Sequence, residues 1–414
     1  MGPELLAYPF LFIAIFFESF VLVTLLSRPA RLARARRAVL SDDAVPTVAV
    51  IVPCYNEEKT VEATIESLLA LDYPSDRLAV IIVNDGSTDG TQEVIERYTT
   101  HPQVKIILKE NGGKHTALNT GIAATTAELI GCLDADSFVE PNALREIVRS
   151  FEDPKVAATT AAMSVHKPQN ALQHMQNAEY IFGITLRHVL STVNGIYVTP
   201  GPFSFYRRLP VLALGGFRYG HQTEDLEMAL RLQKAGHWID NAPRARVYTK
   251  APRTLLSLLQ QRTRWTTGFM RNTLIEYRDL IGSRKHNALG ILVLPLSLLA
   301  IMTGILMFGL AIYTTVDAII TFYQLRSGIP LSYLMQGFSS FDWFYLPTTT
   351  YIFLGAVLLI STFILIVIGK RLSQTPSRLA YSLLTYACMY GFIVPFWLIR
   401  ATTDVALGKK RNWR

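Results

Sequence analysis

Long apolar blocks, separated by one extended polar stretch, set the pattern of this chain. Residues 5–26 carry a single charge, Glu18, and further apolar blocks cover 289–323, 345–368 and 379–401. A helix needs about 20 apolar residues to cross roughly 30 Å of hydrocarbon, so each block is long enough to span a membrane. The second block would be about 50 Å long as a helix at 1.5 Å per residue, more than one upright span requires. Four spans would also place the basic tail on the side that the positive-inside tendency disfavours. The pattern therefore predicts one of two things: the second block turns back on itself, or the fourth, interrupted by Pro395, does not fully cross.

The polar stretch, about 41–282, is long enough to bury a sizeable core. Its opening alternates two periodicities. Largely β-branched runs at 48–52, 78–83 and 104–108 predict strands, and helical apolar spacing falls at 57–71 and 91–98. Strand–helix–strand alternation predicts a mostly parallel α/β sheet, with ligands at the carboxyl ends of its strands. Over 254–279, leucines and Trp265 interleave with Gln260, Gln261, Arg262, Arg264 and Arg271, the pattern of amphipathic helices lying on a membrane surface. The expected organisation is an N-terminal span with its basic flank over 1–38, a catalytic domain over 39–250 and interface helices over 251–287, then spans over 288–408 and a basic tail over 409–414.

A cleaved signal peptide does not fit the first block. No basic residue precedes it, and its apolar run exceeds the roughly 7–15 residues of a signal core. Arg28, Arg31, Arg34, Arg36 and Arg37 follow it instead, a cluster expected to stay cytoplasmic. Much of the net charge of +8 sits beside the apolar blocks, at these arginines, at Arg284, Lys285, Lys370 and Arg371, and in the tail. Juxtamembrane cations bind anionic headgroups at about 1 kcal/mol each, so membrane lipids account for the charge and no nucleic-acid partner is expected. Cys54, Cys132 and Cys388 lack metal or disulfide spacing and read as free thiols.

Candidate chemistry gathers at the predicted strand ends. Asp134 and Asp136 follow the apolar run 129–133, and two carboxylates in such a loop suit Mg²⁺ or Mn²⁺ bridging diphosphate oxygens. Alone, the pair reads more readily as a solvated turn. Asp85 follows the second run within Asn84-Asp85-Gly86-Ser87, and Lys114 closes the glycine-rich Asn111-Gly112-Gly113-Lys114, suited to a diphosphate. Glu224 and Asp225 stand together ahead of the helical 226–232, where capping and dipole stabilisation explain them equally well. Gln261, Arg264 and Trp265 offer an amide, a cation and an indole for a leaving diphosphate and a sugar ring.

In this order the motifs resemble the processive family 2 glycosyltransferases: hyaluronan synthases, the nodulation chitooligosaccharide synthase, bacterial poly-N-acetylglucosamine synthases and cellulose synthases. The resemblance runs from about Val48 to Trp265 and includes the membrane layout. It implies a GT-A domain of Rossmann-like α/β fold on the cytoplasmic face of the plasma membrane, joined to helical spans that export a polymer. It assigns Tyr55 and Glu57 to uracil and uridine, Asp85 to uridine, Lys114 to the diphosphate, and Asp134 and Asp136 to the metal, with Asp136 favoured as direct ligand. Asp225 matches the catalytic base, beside Glu224. Gln261 and Arg264 match diphosphate-binding positions, and Trp265 and Gly201 lie on the side of the growing glycan acceptor.

The stretch from Asn111 to Asn119 looks closer to poly-N-acetylglucosamine and hyaluronan synthases than to cellulose synthases, which favours UDP-N-acetylglucosamine over UDP-glucose as donor. Hyaluronan synthases have two spans before the catalytic domain and this chain has one, so a small accessory membrane subunit is a candidate partner. The tail Asn412-Trp413-Arg414 resembles a gating segment of some relatives. Two other readings stay open: a non-processive enzyme moving one sugar to a lipid acceptor, and an inactive membrane scaffold or transport protein.

Overall fold

The computed structural model describes residues 7–27, 45–326, 350–376 and 378–409. The arginine cluster from Arg28 to Arg37 and the tail with Trp413 lie outside the described residues. The chain opens with helix α1 (Tyr8–Ser27). It continues through β1 (Val48–Cys54), α2 (Val61–Leu69), β2 (Leu78–Asn84), α3 (Thr91–Glu96), β3 (Val104–Leu108), α4 (Lys114–Ala123), β4 (Leu129–Cys132) and β5 (Ser137–Val139). Then come α5 (Ala143–Val148), β6 (Val156–Val165), α6 (Ala171–Thr192), β7 (Ser204–Arg207), α7 (Arg208–Ala213), α8 (Glu224–Lys234) and β8 (Trp238–Thr249). Helix α9 (Leu255–Arg271) leads to α10 (Leu294–Arg326), α11 (Thr350–Ser373) and α12 (Ala380–Ala406).

The strands form one eight-stranded sheet in the order β3-β2-β1-β4-β7-β6-β8-β5. It is mostly parallel, and only β7 and β5 run against their neighbours. The runs at 48–52 and 78–83 form strands because they are buried on both faces, while 104–108 makes the part-exposed edge strand β3. Val48, Val50 and Val52 pack with Val61, Ile65 and Leu68 on one side, and Ala49 and Ile51 meet Ala117, Leu118 and Ile122 on the other. Each such side chain contributes about 1.5–3 kcal/mol on full burial, which fixes the register of β1 at the sheet centre.

Among the described residues, four helices are long and apolar enough to cross a membrane: Tyr8–Ser27, Leu289–Leu325, Ile352–Ser373 and Ala380–Ala406. Of the two alternatives raised for the apolar blocks, the turn within the second is not seen. Leu289–Leu325 is one helical run of 37 residues that does not turn back. Pro395 sits inside the 27-residue α12 without ending it, and at 1.5 Å per residue that helix reaches about 40 Å.

Polar ties join these helices to one another and to the sheet domain. Thr362 donates to Glu18 at 2.6 Å, linking α11 to α1, and Thr185 of α6 donates to the Leu365 carbonyl at 2.7 Å. Helix α9 turns part of its charge toward the protein. Its Arg262 is 4% exposed and pairs with Glu179 of α6 at 2.7 Å, while Arg271 reaches the Lys409 carbonyl. The helix packs against α12 and reaches α6 through Arg262, so part of its charge faces protein. Arg262→Met is expected to destabilise the fold by about 3–5 kcal/mol, because it strands Glu179 in the interior. Pairing it with Glu179→Leu should recover most of the lost melting temperature; a single variant as stable as wild type would contradict this role.

Candidate active site

Strands β1, β2 and β3 end level, with Cys54 paired to Asn84 and Asn84 to Leu108. The segments that begin at Tyr55, Asp85 and Lys109 therefore leave the sheet side by side. Strand β4 joins the opposite side of β1, so the strand order reverses there, and the Asp134 loop emerges at that switch point.

Asp85 is 3% exposed and its oxygens are engaged. Lys109 donates to Oδ1 at 2.5 Å, and the Gly112 and Gly113 amides donate at 3.1 and 2.8 Å. The carboxylate so holds the loop that carries Lys114. Gly86 allows the approach, since a Cβ there would stand 2.8 Å from the Asn111 nitrogen. Lys109 escaped the sequence reading, although a cation directly after a strand, level with Asp85, was the signal that would have found it.

Lys114 opens α4 and bridges two acids, with Nζ 2.6 Å from Asp134 Oδ1 and 3.1 Å from Glu224 Oε1. Burial opposes its charge, but Asp134 and Glu224 outweigh that and hold its pKa well above the ordinary lysine value. Gly201 faces this pair: a Cβ there would lie 2.6 Å from Lys114 Nζ and 2.9 Å from both Asp134 carboxylate oxygens. Two loops far apart in sequence are thus pressed together, and only a residue without a side chain leaves the contact intact.

Glu224 and Asp225 begin α8 and have been driven apart in proton affinity. For Glu224, burial favours the neutral form, yet Lys114, a backbone amide and Arg264 keep its pKa below the usual value. Asp225 is pushed up to about 6, first by burial and then by the charge of Glu224. Its Oδ1 accepts from the Leu226 amide at 2.8 Å. Adjacent carboxyls whose environments separate their pKa values are the usual arrangement for dividing acid–base roles.

The segment leading into α8 is strained. His221 and Gln222 hold left-handed φ values of 53° and 65°, at a cost on the order of 1–3 kcal/mol each. Helix α9 retains them there: Arg264 Nη1 donates to the Gln222 carbonyl at 3.2 Å, and Asn272 donates to the Gly220 carbonyl at 2.9 Å. Arg264 therefore acts on the acids in two ways, through this loop and through its charge on Glu224. Gln261 keeps a buried Oε1 with no partner. Trp265 packs against the core, with the Arg262 guanidinium 4.3 Å above its ring.

Asp136 accepts from Ser137 at 3.1 Å, and Thr249 of β8 lies 3.5 Å away. Burial, then the charges of Asp134 and Glu57, push it up to about 6. Glu57 is itself raised, first by burial and then, against a 2.6 Å bond from Thr60, by Asp134. No group of three or more His, Cys, Asp or Glu forms a ready cage among the described residues. One or two carboxylates with the rest of the sphere left to phosphate and water is the donor set Mg²⁺ accepts, so Asp136 and Asp134 fit such an ion. Tyr55 stands apart at the rim, 39% exposed.

A curled, mostly parallel sheet with carboxylates at its switch point is the architecture of GT-A glycosyltransferase domains. Residues 49–214 match the family model described as Glycosyl transferase family 2, and the chain carries a domain of that family. It is 30% identical over 273 residues to poly-beta-1,6-N-acetyl-D-glucosamine synthase of Staphylococcus aureus (strain COL), 64% of either chain. The Staphylococcus epidermidis protein of the same name is 31% identical over 245 residues, 58% of this chain and 59% of its own. The match thus spans less than two thirds of these curated relatives. A mannosyltransferase from Pyrobaculum calidifontis, solved with GDP-Man and Mn²⁺, has a TM-score of 0.59 at 21% identity. The alignment covers 97% of this chain and 99% of that one, a likeness of fold.

Proposed function

We propose that this chain is a membrane glycosyltransferase that builds a β-linked polysaccharide from UDP-N-acetylglucosamine by inverting, processive transfer on the cytoplasmic face of the plasma membrane. The observation that carries this reading is the split pair Glu224–Asp225 beside the Lys114–Asp134 bridge. The named activity of the staphylococcal relatives supports the donor and the polymer. Membrane lipids, the growing glycan and a small accessory subunit are the proposed partners.

Asp225 accepts the proton of the acceptor hydroxyl as that oxygen forms a bond to the anomeric carbon. The bond from the anomeric carbon to the UDP oxygen breaks as the new one forms, so an α-linked donor gives a β-linked product. Lys114 exchanges its bond to Asp134 for one to the departing diphosphate, and Arg264 adds a second positive charge. Asp136 and Asp134 hold Mg²⁺ or Mn²⁺, which supplies charge neutralisation at the diphosphate when bound. Tyr55, Glu57 and Asp85 shape the uridine end, with Asp85 acting through the Gly112–Gly113 loop. Trp265 and Gly201 face the acceptor.

A base with a pKa of about 6 gives kcat/KM an acid limb. At saturating metal, kcat/KM should fall close to tenfold per pH unit below about pH 6 and level off above it, because Asp225 works only when deprotonated. A profile flat from pH 5 to 8, with the chemical step limiting, would remove Asp225 as the base.

A further inference from the structure

Among the described residues, several arginines with buried nitrogens are answered by an acid or by carbonyls. Arg262 has Glu179 at 2.7 Å, Arg231 has Glu227 at 2.7 Å, and Arg207 donates to the carbonyls of Val156 and Phe151. Arg187, on α6, has no ion pair among the described residues, and its Nε and Nη2 are buried without any hydrogen-bond partner. The groups that bear on its charge are two phenols, Tyr197 and Tyr180. Burial drags its pKa down to about 10, so it is still a cation at neutral pH. The side chain as a whole is part-buried, but two cationic nitrogens shut off from water and left unpaired are costly, and they call for an anion from outside the chain.

The surroundings define which anion. Tyr180 and Gly183 stand seven and four residues before Arg187, on the same face of the helix. A Cβ at position 183 would lie 3.2 Å from Arg187 Nη1, so the glycine leaves the fork open on that side. Tyr197 stacks at 5.4 Å on Phe269 of α9 and hydrogen-bonds Ser297, in the first turn of the membrane-length helix α10. Leu294 and Leu298 of α10 pack into the same apolar cluster as Tyr197. Tyr197 therefore links the guanidinium to the start of a span, with Tyr180 as the second phenol that bears on its charge. Neutral hydroxyls do not balance its charge, whereas a phosphate matches the planar fork with two parallel hydrogen bonds.

We propose that Arg187, flanked by Tyr180 and Tyr197, binds the phosphate of a membrane lipid. The site is independent of the donor and of how many sugars are added. Two sources share this chemistry, an anionic phospholipid headgroup and a polyprenyl phosphate, and the second would place an acceptor or primer beside the Tyr180–Arg262–Trp265 stack.

The experiment uses the full chain in phosphatidylcholine nanodiscs doped with either phosphatidylglycerol or a polyprenyl phosphate, with retained lipid counted by native mass spectrometry. Wild type should retain one phosphate-bearing lipid that inorganic phosphate does not displace. Arg187→Gln should lower retention about tenfold or more, the loss of one charge-assisted bidentate contact. Arg187→Lys and Tyr197→Phe keep the charge, should fold, and should each lower retention several-fold. Preference for the polyprenyl phosphate with a matching rise in its KM in Arg187→Lys assigns the acceptor lipid; preference for phosphatidylglycerol with KM unchanged assigns a headgroup site. Retention equal to wild type in Arg187→Lys and Tyr197→Phe, or release of the lipid by inorganic phosphate alone, overturns the proposal.

Discussion

Asp225→Asn is expected to abolish sugar transfer, lowering kcat by at least about 10³-fold, in the range a general base supplies. The amide is nearly isosteric and still accepts from the Leu226 amide, so α8 keeps its start. What it cannot do is take a proton. Because the base acts on the transition state and not on the bound donor, UDP affinity should stay within about tenfold. Stability offers a second readout. The ionised Asp225 stands beside a negative Glu224, with its pKa pushed up to about 6, so above that pH its charge disfavours the folded state. Asparagine removes the repulsion, and the variant should melt no lower than wild type at pH 8. A stable Asp225→Asn protein that has lost UDP binding would show that this residue holds the donor instead.

The second large effect is expected at Asp136. Asp136→Asn should remove metal-stimulated donor binding and transfer together, with donor affinity down about 100-fold or more, because the ion is the largest positive charge available to the diphosphate. Lys114 remains in the variant but is tied to Asp134 and Glu224. The pH dependence of stability has a definite sign. Asp136 titrates at about 6 when folded against about 3.9 when unfolded. Protonation therefore favours the fold, and the cation-free protein should lose stability as pH rises from about 4 to 6. Mn²⁺ or Mg²⁺ should restore it, raising the melting temperature more at pH 8 than at pH 5. Equal metal stabilisation of wild type and Asp136→Asn at pH 8 would place the ion elsewhere.

The half of the sheet that carries Asp85 and Asp136 was legible because parallel strands leave a plain trace. The run at 48–52 sits within β1, and 104–108 coincides with β3. The helix expected over 57–71 begins four residues later, at Val61, because Asn56 takes a left-handed φ of 57° and Glu57 turns the chain ahead of the helix. The other half was opaque. Strand β6 is alanine- and threonine-rich, buried along its whole length, and shows no alternation and few bulky apolar residues. Strand β8 contains Pro243, Arg244 and Arg246, and a bulge in its pairing with β6 accommodates the interruption. Such strands form because neighbours on both sides complete them, and that information is not local.

The site divides the same way. Residue types and order were visible, whereas the partnerships depend on folding. Lys114 meets Glu224 across 110 positions, and Arg262 meets Glu179 across 83, so one arginine of the motif is structural while Arg264, two residues on, reaches the acids. The raised pKa of Asp225 likewise arises from its surroundings and not from its neighbours in sequence alone.

The central claim is tested most directly by a donor screen. Purified full-length protein in nanodiscs would be given Mg²⁺ or Mn²⁺ and single radiolabelled UDP-sugars, and the products separated by size. A high-mass ladder from UDP-N-acetylglucosamine alone, lost when the metal is chelated, is the expected result. A product one sugar larger than an added lipid, or no transfer from any UDP-sugar, would contradict it.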